Sequence, residues 1–415
     1  MRLPLALLSL CTTLALADTV APASPATLPA PALAAPVPVA PAVAPGSTPA
    51  SAAPAPAPVP AIDPALVVSQ EEMQAVFDEV KTPYKYGIIL PGTNEEYADC
   101  ANVFRFRDRW YMVYVRIRNK VGYETCLAES SDLLNWTPKG VILPFSNAGW
   151  DARQADGGIA LFDTSWGGSN TLHPHQGRYW MSYFGGNKEG YEPDPLSIGL
   201  ASTLDPSSPE PWTRHEANPV MTPFAADARP FEQETLYKSF IMHDPTESLG
   251  YPFIMYYNGK QKGKWVERIG MAYSRDLVNW VRPANEGPVI DNLKGISGDP
   301  QIVRIGKLWV MFYFGAGWKK GAFDTFACSR DLRNWTKWEG PHLLQSSEPY
   351  DKTFAHKPWI IKHEGVVYHF YCAVSKEGRG LALATSRDLR PVPPAPAPAS
   401  TLPTSPAPQA SPSSP

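Results

Sequence analysis

The sequence is poor in charge, in cysteine and in helical periodicity. Charged residues make up 19% of its 415 residues, and 37 Lys and Arg nearly balance 40 Asp and Glu. No basic run interrupts the apolar segments, which argues against nucleic acid or an anionic membrane surface as a partner. Helical periods are lacking between the apolar runs, which excludes an α/β fold with a parallel sheet.

The two ends of the sequence lack the residues of a folded core. Residues 1–17 have a basic start, a short apolar stretch and small final residues, which predict a secretory signal and a secreted or periplasmic protein. This stretch is too short to insert as a membrane anchor, and lipidation of Cys11 is disfavoured by bulky Leu10. Residues 18–65 and 391–415 are rich in Pro, Ala and Ser, which predicts extended linkers around one domain at 66–390.

Four cysteines remain after the predicted signal, and no spacing among them is typical of a zinc site. They are Cys100, Cys126, Cys328 and Cys372, each inside or beside a predicted strand. An even number in an exported protein permits disulfides. Their places within strands instead favour small, buried apolar side chains.

One phrase recurs five times between residues 128 and 389. Its full form, Ser-x-Asp-Leu-x-Asn-Trp, ends at Trp136, Trp280 and Trp335, and shorter forms lie at 201–205 and 384–389. The copies are roughly 55 to 75 residues apart, which is typical of supersecondary units that stack to bury a shared core.

Short runs of β-branched and aromatic residues precede each copy. Around the fourth copy they are 300–305, 308–314 and 322–327, and Gly, Asp or Pro residues bound them. The phrase then supplies a turn and the residues after its Trp an outer strand, whereas the one helix expected is 70–80. Four antiparallel strands in each of five repeats predict an all-β fold, the five-bladed β-propeller.

The starts of the first strands are the candidate functional positions, because in a propeller they surround one pocket. Four of the five carry an ionisable residue at what the sequence indicates is the same place, and the third has Tyr237-Lys238 aligned with His356-Lys357, with Glu232 and Glu234 upstream. A lone Asp there is often only a turn former, and Lys357 could merely neutralise acids. Like charges gathered at one mouth nevertheless indicate a functional site. The four are Asp99, Asp156, Asp299 and His356.

The repeated phrase and the Asp residues at strand starts together resemble the five-bladed propeller glycoside hydrolases, a group that includes families 43, 32, 68, 62, 117 and 130. The resemblance covers about residues 82–390. It implies Asp99 as the general base and Asp299 as a second carboxylate. Where family 43 carries its acid, this sequence has Gly298-Asp-Pro300, so the acid is either Glu234 or, as proposed in family 117, His356.

Other residues suit a sugar ligand. Trp150, Trp166, Tyr191 and Trp318 lie in loops or near strand starts, where a ring can stack on the C–H face of a sugar, and the excursion at 185–195 can form a pocket wall. We expect substrate contacts from Asp156, Arg153, Lys238, Lys357, Trp150, Tyr191 and Trp318.

The expected activity is hydrolysis of a glycosidic bond with inversion, with an oligosaccharide or polysaccharide as the partner. A phosphorylase of the family 130 type is one alternative, with Arg153, Arg229, His243 and Lys357 as phosphate ligands. A carbohydrate-binding propeller without activity is another. No cofactor is expected, although the resemblance allows a structural calcium beside His356 that no oxygen-ligand loop supports.

Overall fold

The computed structural model describes residues 63–284 and 286–390. The predicted signal, nearly all of the first linker and the tail at 391–415 lie outside the described residues. Within the described part, no helix has the length and apolar character needed to cross a membrane.

A helix, α1 (Gln70–Val80), precedes the strands, with the limits that the sequence predicts. Ser69 caps it: the Glu72 amide donates to Ser69 Oγ over 3.3 Å, and the Ser69 amide donates to the Glu72 carboxylate over 3.0 Å. Its buried side chains Met73, Val76 and Val80 share one face, since they follow a helical spacing.

The strands form five blades, and strand β1 (Tyr84–Leu90) belongs to the last of them. Blade I is an antiparallel sheet of β2 (Glu96–Phe106), β3 (Arg109–Arg118), β4 (Tyr123–Ser130) and β5 (Thr137–Leu143). Blade II has the same arrangement of β6 (Gln154–Ile159), β7 (Tyr179–Gly186), β8 (Ser197–Thr203) and β9 (Thr213–Arg214).

Blades III and IV are joined at their edges. Blade III contains β10 (Thr235–His243), β11 (Phe253–Lys260), β12 (Val266–Ser274) and β13 (Trp280–Val281). Blade IV contains β14 (Gly295–Ile305), β15 (Leu308–Ala316), β16 (Ala322–Ser329), β17 (Trp335–Lys337) and β18 (Leu344–Gln345). Val266 and Glu267 of β12 pair in parallel with Gly295 and Ile296 of β14, which ties the two blades together near the starts of these strands.

Blade V closes the ring with strands from both ends of the described sequence. Its order is β19 (Phe354–His363), β20 (Val366–Val374), β21 (Arg379–Thr385) and then β1. Tyr84 pairs with Thr385 and Leu90 with Leu381. The five predicted blades are therefore present, but the outer strand of the last one comes from ahead of the first blade.

The recurring phrase is a structural turn. In its first copy, Asp132 Oδ1 accepts from the amides of Leu134 (2.9 Å) and Asn135 (2.8 Å), and Trp136 Nε1 donates to the Leu133 carbonyl (3.0 Å). The buried Leu133 has a positive φ of 66°, a conformation that the surrounding hydrogen bonds hold. Equivalent contacts to the aspartate hold the copies at Asp276 and Asp331.

A second repeated feature precedes the inner strands of blades II, III and V. Each begins after a short 3₁₀ turn that ends in a buried acid, at Gly149–Asp151, Pro230–Glu232 and Pro349–Asp351. Each acid accepts from a tyrosine of the second strand and pairs with a cation of the outer strand region, as Asp151 does with Tyr183 (3.0 Å) and Arg214 (2.6 Å). These acids, Glu232 included, therefore fasten the inside of a blade to its outside.

The four cysteines Cys100, Cys126, Cys328 and Cys372 are buried and form no disulfide in the described part of the protein. Burial raises the pKa of each thiol, to about 12 for Cys126 and Cys328. They pack as small apolar side chains.

Candidate active site

A cavity of about 470 Å³ lies where the inner strands of the five blades begin. Each blade contributes lining residues from its inner strand, and among them are Cys100, Asp156, Lys238, Asp299, His356 and Lys357. The strand starts singled out in the sequence thus meet around one space.

β-bulges shape four of the five inner strands beside this cavity. The pairing registers shift after Asp99, Leu236, Gly298 and His356. In three of these bulges the first extra residue has a positive φ, namely Cys100 (53°), Asp299 (54°) and Lys357 (65°). Non-glycine residues rarely adopt this conformation, and bulges beside active sites commonly re-aim side chains.

The bulges correct the alignment that the sequence suggests. Asp299 shares its position with Cys100 and Lys357, one residue later than Asp99 and His356. Asp156 lies on β6, which pairs with β7 without any shift of register. The ionisable residues thus reach the same cavity from positions that are not equivalent.

Asp99 lies beneath the cavity and is completely buried. Its Oδ2 accepts from Arg379 (2.5 Å) and Lys357 (3.3 Å), and its Oδ1 accepts from the Cys372 thiol. Burial opposes ionisation, but the two cations outweigh it and hold the pKa of Asp99 well below its usual range. This geometry suits a residue that positions Lys357 and Arg379, and the role of Asp99 as base stays a prediction.

Two further carboxylates line the cavity floor. Asp156 accepts from Lys238 Nζ at 2.5 Å, and burial raises the pKa of Asp156 despite this buried lysine. The Asp299 amide donates to Asn258 Oδ1 over 2.9 Å, and burial raises the pKa of the Asp299 carboxyl to about 6 against the pull of Lys357. The acids at the mouth are thus interleaved with cations, unlike the cluster of like charges expected from the sequence.

His356 lies between aromatic rings at the cavity. Its ring centroid is 5.2 Å from that of Phe314 and 5.7 Å from that of Phe354. Burial and the neighbouring cations Arg379 and Lys357 lower the pKa of His356 to about 3. Its imidazole is therefore neutral at neutral pH and carries no additional proton to give to a leaving group.

The surroundings of His356 do not fit a calcium ion either. Calcium takes oxygen ligands and is repelled by positive charge, whereas Arg379 and Lys357 are the nearest charges that act on this ring together with Asp99. Within residues 63–284 and 286–390, no group of three or more His, Cys, Asp or Glu side chains is placed to hold a metal ion.

Glu234 and Arg153 are not among the residues that line the cavity. Glu234 accepts a hydrogen bond from the Gly263 amide (2.9 Å) in the hairpin between β11 and β12. Arg153 bonds to Glu189 (3.2 Å) and to Asn147 (3.1 Å). In this structure neither side chain contacts the space that a sugar would fill.

Of the four aromatic candidates, Tyr191 lines the cavity. It is 45% exposed and its hydroxyl accepts from Arg379 over 2.7 Å. Trp150 stacks on Tyr183 with centroids 5.5 Å apart, and Trp318 donates to a backbone carbonyl over 2.8 Å. Trp166 donates to a carboxylate of α1 over 2.7 Å. These three tryptophans make contacts within the fold.

Two glutamates that the sequence did not indicate line the cavity. Glu192 lies in the excursion between β7 and β8, and its Oε1 accepts from the Tyr123 hydroxyl (3.1 Å) and from Lys357 (3.4 Å). Glu267 lies on β12, and burial, with Glu192 and Asp299 nearby, raises its pKa to about 8. One carboxyl is thus protonated at neutral pH beside another whose oxygen is held by a cation and a phenol.

Signals for both glutamates exist in the sequence. Glu192 follows Tyr191 within the excursion that the sequence marks as a pocket wall, and Glu267 stands near apolar neighbours at the start of a strand. Neither position belongs to an inner strand, so attention to the starts of inner strands alone misses both.

Structural comparison finds close similarity to glycoside hydrolases. A complex of BT0996 with an RGII oligosaccharide is 43% identical, covers 79% of this protein and 97% of the other, and has a TM-score of 0.75. A structure described as a glycoside hydrolase gives the same values. A thermostable family-43 glycoside hydrolase, 15% identical with a TM-score of 0.50, covers 71% and 90% and shares the fold alone. No protein-family model and no curated protein matches the sequence.

Proposed function

The protein belongs to the glycoside hydrolases of the five-bladed β-propeller superfamily, and we propose that it cleaves its glycosidic bond with Glu267 as the general acid and Glu192 as the opposing carboxylate. The observation that carries this assignment is the raised pKa of Glu267, about 8, in the cavity that Glu192 also lines. Paired carboxyl groups with separated proton affinities are what glycoside hydrolysis requires.

Glu267 supplies the proton. Because its pKa lies above neutrality, its carboxyl group is protonated when substrate arrives and can give that proton to the departing glycosidic oxygen. Its parallel pairing with Ile296 of β14 fixes its backbone at the junction of blades III and IV.

Glu192 acts on the other side of the scissile bond. Its Oε1 is held by Tyr123 and Lys357, so the carboxylate has a fixed direction. It either deprotonates a water, which gives inversion as the sequence predicts, or attacks the anomeric carbon, which gives retention. Proton NMR of the first-formed sugar anomer separates these two outcomes.

The substrate class we propose is an oligosaccharide of the RGII type. Support comes from the 43% identity to a protein seen in complex with an RGII oligosaccharide. The cavity of about 470 Å³ also falls within the range of roughly 300–1,000 Å³ of small-ligand sites.

A phosphorylase activity finds little support in the arrangement of basic residues. Of the four predicted phosphate ligands, Lys357 lines the cavity, whereas Arg229 is buried against Glu232 (3.1 Å) and Arg153 pairs with Glu189. His243 stands at the far end of β10, away from the strand start.

Sugar release from the RGII oligosaccharide tests the proposal. The wild-type protein should release reducing sugar at the same rate with and without phosphate, and Glu267→Gln and Glu192→Gln should each release far less. A rate that depends on phosphate would indicate the phosphorylase, and binding of the oligosaccharide without release would indicate a carbohydrate-binding propeller.

We also propose that the enzyme acts outside the cytoplasm. This rests on the basic and apolar pattern of residues 1–17 alone. N-terminal sequencing of the mature protein tests it, with Asp18 as the expected first residue. Retention of residues 1–17 in cell fractions would contradict it.

A further inference from the structure

Trp265 is an exposed aromatic residue that lines the cavity beside the proposed acid. Its side chain is 62% exposed, yet it contributes to the cavity wall. Scattered exposed apolar side chains are ordinary on protein surfaces, and Phe224, 70% exposed and away from the cavity, is one of them. Trp265 differs because its free surface faces a saccharide-sized space.

The sequence places Trp265 and Glu267 on the same side of one segment. Trp265 immediately precedes β12, and Glu267 is the second residue of that strand. Side chains two residues apart in an extended segment point to the same face, about 6.6 Å apart. Both line the cavity, with the indole nearer the hairpin end and the solvent.

Gly317 holds the indole in place. A Cβ atom built on Gly317 would lie 2.9 Å from one ring carbon of Trp265 and 3.2 Å from another, so the ring edge rests on the backbone of blade IV. Gly317 also has a φ of +78°, which a larger residue adopts at a cost. The indole thus spans the junction of blades III and IV in one fixed orientation while most of its surface stays open.

We infer that Trp265 binds the sugar on the leaving-group side of the scissile bond, an inference that rests on Glu267 being the acid. The acid must contact the bridging oxygen, so the departing sugar lies next to Glu267 on its solvent side. That is the place that Trp265 occupies. An indole face contacts the C–H face of a pyranose or furanose through apolar surface, and the polar edge of the ring stays hydrated.

Two substrates that share the transferred sugar and differ in the leaving group test this role. One is the RGII oligosaccharide, and the other is the glycosyl fluoride of the sugar released from it, whose leaving group is too small to reach Trp265. For Trp265→Ala, kcat/KM on the oligosaccharide should fall about tenfold, equal to about 1.4 kcal/mol, and stay within about twofold on the fluoride. Trp265→Phe should recover part of the loss, because an aromatic face remains.

Phe224→Ala is the matched control, since it also removes an exposed aromatic side chain and should leave both substrates unaffected. Equal losses for Trp265→Ala on both substrates, or no loss on either, would overturn the leaving-group assignment. Failure of the proposed function looks different, because the wild-type protein would then release no sugar from either substrate.

Discussion

Replacing Glu267 by Gln removes the proton on which the proposed chemistry depends. With a pKa of about 8, roughly 90% of the Glu267 carboxyl groups carry a proton at pH 7, whereas a carboxyl at the ordinary value of 4.5 would be about 0.3% protonated. The environment of Glu267 therefore increases its acid form about 300-fold. Gln keeps the shape and loses the transferable proton.

The expected loss depends on how much help the leaving group needs. A positioned general acid contributes about 10²- to 10⁴-fold, so kcat/KM of Glu267→Gln on the RGII oligosaccharide should fall by that factor. On a 2,4-dinitrophenyl glycoside of the released sugar the loss should be much smaller, because that leaving group departs without a proton. The wild-type rate should also decline as the pH rises through about 8, and the variant should lack this decline.

Glu234→Gln is the control, since Glu234 is the acid that the sequence suggests and it bonds to the Gly263 amide outside the cavity. Its kcat/KM should stay near the wild-type value on both substrates. A Glu267→Gln variant that retains a tenth or more of its oligosaccharide activity, or a large loss for Glu234→Gln with an unchanged melting temperature, would refute the assignment.

Three further predictions follow from buried groups. Glu192→Gln should lower kcat roughly 10²- to 10⁴-fold with little change in oligosaccharide affinity measured by calorimetry, and wild-type turnover would contradict its role. Lys357→Met leaves the buried Asp99 with Arg379 alone, so the unfolding free energy in urea should fall by about 3 kcal/mol, whereas the exposed control Lys307→Met should change it by less than about 0.5 kcal/mol. Iodoacetamide should alkylate the four buried cysteines only after unfolding, which mass spectrometry reports, and fast labelling of the native protein would contradict their burial.

The blades could be predicted from the sequence because each is a local pattern. The phrase around Asp132 repeats its own turn hydrogen bonds in every full copy, and the capping box of Ser69 and Glu72 marks the start of α1 within a few residues. Local rules of this kind need no knowledge of distant segments. The pairing of β1 with β21 is different, since nothing in residues 84–90 shows which strand they meet.

The site was only partly predictable for a related reason. The inner strands were located correctly, but a bulge adds a residue without a signature in the sequence, so Asp99 and Asp299 fell out of register. The raised pKa of Glu267 comes from burial beside Glu192 and Asp299, which three different blades bring together. Such an environment exists only after folding.

Closure of the ring by β1 makes assembly of the molecule wait for a segment that is translated much later. Residues 84–90 leave the ribosome almost 290 residues before residues 379–385, with which they form a ladder. Until then β1 and the open side of blade V remain bare edges that can recruit other polypeptides. A premature stop after β20 would therefore do more than shorten one blade, because it would leave the nascent propeller unable to shut and exposed to aggregation.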